Sequence, residues 1–274
     1  MGMRAVSVHR RLLGVATMSR DRLLADIVAL SPSALDDWQR CPRLYLNRHI
    51  LGLPASDGGG AAQTGNLVHD LLRYLHGLGD CHDPALRLAA LENHGVDDHP
   101  TVGAMLDHHA ARCPVGATAV GHELEVVRLS RLGRVWIGSG RLDAVWIHDG
   151  ILDVRDYKTG RVRDGDLADD ARAQFQAWLA QPLAPELPIR VRYEYLSEAP
   201  DLDPLEYEPD ADDLQRVERE LGATVDAIRD AARAGEFAGV RETDTCRLCS
   251  YRSICPDSAV AAEPTWPLPA DHVA

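Results

Sequence analysis

The feature that most constrains how this chain can fold is a dipeptide. Asp149-Gly150 sits between two stretches of alternating apolar residues, Arg141 to His148 and Ile151 to Lys158. An Asp-Gly pair in that setting signals a two-residue type I′ hairpin, because both turn positions need positive φ and the turn's twist matches that of the strands. Such a turn leaves no freedom in the register. His148 must face Ile151, Ile147 must face Leu152, Val145 must face Val154, and Asp143 must face Asp156. Two apolar pairs therefore end in two acids on one face of a sheet.

Directly opposed residues have β-carbons only ~4.5–5.5 Å apart, and like charges there are destabilising. Two carboxylates in that position call for a cation between them, and a hard ion such as Mg²⁺ or Mn²⁺ prefers oxygen ligands and retains waters. Strand alternation puts Lys158 on the same face as Asp156, one pleat further on. Of the 29 basic residues Lys158 is the one lysine, the others being arginine. A compact, rotatable ammonium is not replaced by a planar guanidinium, so its survival beside two acids marks a chemical role. Metal, carboxylates and ammonium together suit hydrolysis of a phosphodiester, in which the metal acidifies water and neutralises charge on phosphorus.

The remaining sequence reads as an α+β layout. Met1–Arg22 has no periodicity and is expected to be a flexible leader. A helix should begin at Ser31-Pro32-Ser33, with Ser31 as N-cap and proline in the first turn. Ser56 to Ala62 is glycine-rich and expected to be a mobile loop. A second helix from Thr64 carries the stripe Val68, Leu71, Leu72 and Leu75, and weaker helical material fills Pro84 to Ala111. Glu123 to Leu129, Val135 to Gly138, Arg141 to His148, Ile151 to Lys158 and Ile189 to Leu196 read as strands. A helix from about Asp166 to Ala180 opens on acids that suit its dipole, and Asp210 to Gly235 forms a long charged helix. The expected division is a leader over 1–22, one domain over 23–257 and a disordered tail over 258–274.

The net charge of −13 argues against a broad nucleic-acid-binding surface. Much of the acid lies between Pro200 and Glu242, however, while Arg155, Lys158, Arg161 and Arg163 crowd into one segment, and whole-chain charge does not set the local field of a cleft. No apolar run approaches the ~20 residues of a membrane span. Leu12 to Met18 is too short for a secretory h-region, so a cytoplasmic protein is expected. No phosphate-binding loop of the motor type is present.

Gly140-Arg141-Leu142-Asp143 followed by Val154-Arg155-Asp156-Tyr157-Lys158-Thr159-Gly160 resembles the active-site core of PD-(D/E)XK nucleases. More narrowly the chain is similar to the RecB/AddB branch, to which the CRISPR-adaptation-associated exonucleases also belong. Leu30-Ser31-Pro32-Ser33 leading to Cys41-Pro42 resembles that branch's opening helix, and Gly65-Asn66-Leu67-Val68-His69 its G-x-x-x-H motif. The resemblance runs from about Leu30 to Pro256. It implies a restriction-endonuclease-like core, a central mixed sheet flanked by helices, with an N-terminal helical part and a C-terminal cysteine cluster closing the domain. It also implies a catalytic set of Asp143, Asp156, Lys158, His69 and Gln174, with metal held by His69, Asp143, Asp156 and the carbonyl of Tyr157. Gln174 opens a segment like the family's Q-x-x-x-Y motif, although Trp178 stands where tyrosine is usual. The family's further acid is either Glu123 or Glu125. Arg155, Arg161 and Arg163 are candidates to hold flanking phosphates.

Cys246-x-x-Cys249 and Cys255 lie within ten residues of one another, and Cys41 lies far upstream. Clustered thiols without a secretory signal are metal ligands more often than disulfides. Spacing alone does not separate a four-cysteine zinc site from an iron–sulfur cluster. The resemblance implies a [4Fe–4S] cluster on Cys41, Cys246, Cys249 and Cys255, joining the opening helix to the C-terminal segment. Cys81 and Cys113 fit no ligand spacing and are expected to be free thiols.

The expected protein is a Mg²⁺- or Mn²⁺-dependent DNA nuclease, an exonuclease with a preference for single strands. It would serve DNA repair, recombination or CRISPR-type DNA processing, alone or with a separate helicase or DNA-processing partner. A non-catalytic iron–sulfur DNA-binding module and a zinc-stabilised scaffold are the competing readings, and retention of Lys158 with both aspartates speaks against the first.

Overall fold

The computed structural model describes residues 28–55, 60–96, 99–114, 117–162, 165–197 and 202–260. The expected leader over 1–22, most of the glycine-rich segment, Arg163 and most of the expected tail lie outside the described residues. In chain order the elements are β1 (Ala29–Leu30), α1 (Pro32–Arg40), α2 (Pro42–Tyr45), a π-helical turn (Leu46–Ile50), α3 (Gly60–Leu78), α4 (Pro84–Asn93) and α5 (Pro100–Arg112). Then follow β2 (Thr118–Ser130), β3 (Trp136–His148), β4 (Ile151–Lys158), α6 (Ala171–Ala180), β5 (Ile189–Tyr195), β6 (Leu205–Tyr207), α7 (Ala211–Ala234) and α8 (Thr243–Arg247). No helix among the described residues is long and apolar enough to cross a membrane.

The chain divides into two compact units, one holding Ile27–Leu35 and Gly58–Val225, the other holding Asp36–Asp57 and the stretch from Asp226 onward. The first is α+β with a mixed sheet, as expected. Strand β3 is its spine. β2 pairs antiparallel along one edge, while β1 (parallel) and β4 (antiparallel) share the other. β5 runs parallel to β4, and β6 closes the sheet antiparallel to β5. The hairpin has the register that Asp149-Gly150 dictates, from His148–Ile151 through Val145–Val154 to Ala144–Arg155. Its turn residues have φ of 52° and 75°, the left-handed pair that a type I′ turn requires.

Helices α3, α4 and α5 bury Val68, Leu71, Leu72, Leu75, Ala90, Val102, Met105 and Leu106 against Ala144, Trp146, Tyr157 and Leu196 of the sheet layer. Helix α6 packs onto the sheet as well. Here Trp178 stacks on Trp136 with ring centroids 4.8 Å apart, and both rings are fully buried. Gly138 permits this approach, because a β-carbon there would lie 2.3 Å from Trp178 Cζ3.

Four local expectations change, the first being that the strands expected over Val135 to Gly138 and Arg141 to His148 form one continuous strand, β3, rather than two. Helix α6 starts at Ala171, because its acids act as caps: Asp166 accepts from Ala168 N–H in a 3₁₀ turn and Asp170 accepts from Ala173 N–H at 2.8 Å. Gly60–Ala62 belong to α3 rather than to a loop. Cys81 and Cys113 are not free thiols but form a disulfide; they stand at the ends of α3 and α5, 32 residues apart in sequence, so spacing gave no sign of their meeting. Ser31 does cap α1, its Oγ accepting from Ala34 N–H at 3.1 Å.

In the second unit, buried Asp37 accepts from Arg48 (2.8 Å) and His49 Nε2 (2.8 Å). Trp38 meets Tyr45 and Phe237 edge-on. The Tyr251 hydroxyl donates to Leu53 O at 2.8 Å and Asp257 binds Arg43 and Arg241, so two stretches far apart in sequence are tied together within this unit.

The close packing at Gly138 leads to a quantitative expectation. Gly138→Ala should destabilise the protein by about 1–3 kcal/mol, because Trp178 has no room to retreat. The urea midpoint should fall at constant m-value; an unchanged midpoint would contradict the packing described.

Candidate active site

The hairpin's open end brings the acids together. Beyond the Ala144–Arg155 pair, the Asp143 carboxylate itself takes the next N–H, accepting from Tyr157 at 2.9 Å. His69 reaches in from α3. Its Nε2 lies 3.0 Å from the Tyr157 carbonyl oxygen, and its Nδ1 lies 3.4 Å from Glu123 Oε1 and 3.6 Å from Asp143 Oδ1. Gly65 of α3 lies close against the end of β4, where a β-carbon would stand 3.2 Å from Thr159 Oγ1.

His69, Glu123 and Asp143 each present a ligand atom within 4.8 Å of the other two, an arrangement able to hold a metal ion. Asp156 is buried beside them. Its Oδ1 pairs with Lys158 Nζ at 2.7 Å, its Oδ2 accepts from Gln176 Nε2 at 2.7 Å, and Arg172 Nε lies 3.6 Å away. Lys158 Nζ also sits 4.2 Å above the Tyr193 ring, so the ammonium is held from two sides.

Of the two acids that sequence left open, Glu123 is the one at the site. It has φ of 48°, a left-handed conformation unusual for a non-glycine residue and often found at functional positions. A register shift between Ala119 and Gly121 precedes it. Arg141 Nε holds its second oxygen at 3.0 Å. Glu125 pairs with Arg141 in the ladder and is exposed.

The glutamine differs from the expectation. Gln174 does not reach the carboxylates, because its amide donates to Ala168 O at 2.6 Å. Gln176 is the buried partner of Asp156. One signal for it was present in the sequence: Ala173, Ala177 and Ala180 form a small-residue face, and all three are fully buried. Gln176 lies on that face by i, i+3/i+4 spacing. Arg155 is likewise unable to serve a phosphate. It is 2% exposed and donates to Asp153 and Glu194, since residue 155 alternates to the sheet face opposite Asp156. Arg161 is exposed.

The electrostatics follow from crowding. Burial lowers the His69 pKa, but the Glu123 contact and the charges of Asp143 and Asp156 outweigh it and push the imidazole up to about 9. Burial and the neighbouring Asp156 charge push Asp143 up to about 7, against the lowering effect of His69 and the Tyr157 N–H. Burial also opposes ionisation of Asp156, yet Lys158, Arg172 and Gln176 together hold its pKa below the ordinary value. Without a metal, a protonated His69 thus provides the positive charge that the carboxylates need.

In the second unit Cys41, Cys246, Cys249 and Cys255 are unpaired by any disulfide and line one pocket with Arg43, Arg241 and Arg252. Burial and the three other cysteines raise the Cys249 pKa, partly offset by the Tyr251 N–H 3.4 Å from its sulfur. Ala259 N–H points at Cys246 Sγ at 3.4 Å. Four thiols around one pocket, with two backbone N–H groups directed at their sulfurs, are the donor set of a four-cysteine metal centre.

Residues 29–256 match the family model of the PD-(D/E)XK nuclease superfamily, and the chain belongs to that superfamily. No curated protein matches the sequence significantly. Among solved structures, a protein from Eubacterium rectale named "Putative exonuclease" superposes over 92% of this chain and 93% of its own, with TM-score 0.52 and 14% identity. That is a likeness of fold. The structure of SSO0001 covers 70% of this chain and 84% of its own at 20% identity, with TM-score 0.33.

The raised His69 pKa gives a prediction for metal-free protein. A group whose folded pKa is raised stabilises the fold below its unfolded value, and that stability is lost as pH rises through the folded value. In chelator, the melting temperature should therefore fall between pH 7 and about 9 more steeply for wild type than for His69→Gln. A difference of a few degrees is expected, since about 1 kcal/mol shifts Tm by roughly 2–4 °C at this size. Parallel profiles would contradict the assignment.

Proposed function

We propose that this member of the PD-(D/E)XK nuclease superfamily is a Mg²⁺- or Mn²⁺-dependent exonuclease that hydrolyses single-stranded DNA. The observation carrying this reading is the meeting of His69, Glu123 and Asp143 beside the Asp156–Lys158 pair. The exonucleolytic mode draws on the RecB/AddB-like motif order and on the name of the Eubacterium rectale protein.

His69, Glu123, Asp143 and Asp156, with the Tyr157 carbonyl, would hold the metal, which when bound acidifies water and offsets charge at the scissile phosphate. Asp156 keeps Lys158 within 2.7 Å, where the ammonium orients the attacking water or donates to a phosphate oxygen. Gln176 positions Asp156 by holding its other oxygen, and Arg172 contributes positive charge on the same side. Arg161, exposed three residues beyond Lys158, is placed to meet a neighbouring phosphate.

End-labelled single- and double-stranded DNA with Mg²⁺ or Mn²⁺ tests this reading. Asp156→Asn and Lys158→Arg should each lower cleavage by about a hundredfold or more. The two glutamines give a sharper comparison. Gln176→Ala should cost roughly 10–100-fold, as loss of an outer-shell partner does, whereas Gln174→Ala should stay within about twofold, the scale of an ordinary surface change. The opposite order would overturn the placement of Gln176. No cleavage by folded wild type would leave a binding module.

Cys41, Cys246, Cys249 and Cys255 hold a [4Fe–4S] cluster in this reading, and the reading treats residues 23–257 as one nuclease domain. Anaerobically purified protein should be brown and carry about four iron and four sulfide per chain. Cys246→Ser should lose both and the colour. Zinc in place of iron would sink the cluster assignment while leaving the nuclease reading intact.

A further inference from the structure

A second group of ligand-type side chains shares no residue with the candidate active site. His76 and Cys81 stand at the C-terminal end of α3, and His109 and Cys113 at the end of α5. All four are buried, and their ligand atoms all lie within 4.8 Å of one another. They form two local His–Cys pairs with four and three intervening residues, the separation at which neighbouring ligands of structural metal centres commonly occur. In the structure the two sulfurs are bonded to each other.

The imidazoles point two nitrogens at one place. His76 Nε2 and His109 Nε2 are 2.9 Å apart. On the far side of its ring, His109 Nδ1 lies 3.7 Å from Glu194 Oε2. Both atoms are buried and neither makes a hydrogen bond, while the other Glu194 oxygen is held by Arg155 at 2.6 Å. A disulfide does not account for this arrangement, since it needs neither the convergent imidazoles nor the carboxylate behind one of them.

We propose that the reduced protein binds one Zn²⁺ tetrahedrally through Cys81 Sγ, Cys113 Sγ, His76 Nε2 and His109 Nε2. Glu194 then accepts from His109 Nδ1–H, the carboxylate–histidine–metal arrangement that fixes a ligand's tautomer. A dithiol reductant gives two electrons and two protons to the Cys81–Cys113 bond and becomes a disulfide itself. Zinc then displaces the two thiol protons to water. One Zn²⁺ with two thiolates is neutral, which suits a site where an uncompensated charge is costly.

Either form joins the end of α3 to the end of α5. The site backs onto Tyr157, whose ring lies 5.0 Å from that of His109 and whose carbonyl faces His69. It does not depend on the nuclease reading.

The test uses the full chain, reduced with a phosphine under anaerobic conditions and equilibrated with Zn²⁺, then freed of excess metal. Wild type should hold one more zinc per chain than Cys81→Ser/Cys113→Ser by elemental analysis. His76→Asn should lose the same equivalent, yet still form the disulfide on oxidation. Because the double variant could fail to fold, reduced wild type is also alkylated with and without Zn²⁺ and its cysteines read peptide by peptide. Zinc should slow modification of Cys81 and Cys113 by about tenfold or more, as the thiolates become ligands. Equal zinc content in wild type and folded variants, or equal alkylation rates with and without zinc, would overturn the proposal.

Discussion

Glu123, Asp143 and Asp156 crowd the open end of one hairpin, and their mutual repulsion organises much of what surrounds them. Two unit charges 4 Å apart repel by about 4 kcal/mol at the effective dielectric of a protein surface, a large share of a typical stability. The fold answers with cations of graded permanence. Lys158 and Arg172 are fixed partners of Asp156. His69 is a titratable one, lying between Glu123 and Asp143. Such a centre is at its least stable when empty of positive charge, which is why its geometry suits a divalent ion.

Several features of this centre could be read directly from residues. The Asp149-Gly150 turn dictated the hairpin, and the observed pairs from His148–Ile151 to Ala144–Arg155 follow it. Alternation then placed Lys158 beside Asp156. The same alternation, applied one residue back, puts Arg155 on the opposite face, where it is bound to Asp153 and Glu194; its proximity in sequence to Lys158 was misleading. Glu123 and Glu125 share a strand face by period two, so no pattern could choose between them. The choice is made by a backbone distortion, the left-handed Glu123. The glutamine was misplaced because motif matching favoured Gln174, while the buried alanine face of α6 carries Gln176.

The cysteines divide by the same logic. Cys246, Cys249 and Cys255 declare themselves through local spacing, and Cys41 joins them because the stretch from Cys41 to Leu53 and the C-terminal segment are tied together within one unit. Cys81 and Cys113 had no such signature. Their meeting depends on how α3 packs beside α5, as does the approach of His76 to His109. Long-range contacts of that kind arise from the fold and leave little trace in a sequence read alone.

The central claim is that the His69–Glu123–Asp143 cluster, with Asp156 beside it, is a divalent-cation site. The most direct measurement is a crystal soaked in Mn²⁺, with anomalous difference density collected for wild type and for Glu123→Gln/Asp143→Asn. The account predicts a manganese peak among His69, Glu123, Asp143 and the Tyr157 carbonyl in wild type, and its loss in the double variant. A peak elsewhere, or none at this cluster while manganese is bound in solution, would contradict it.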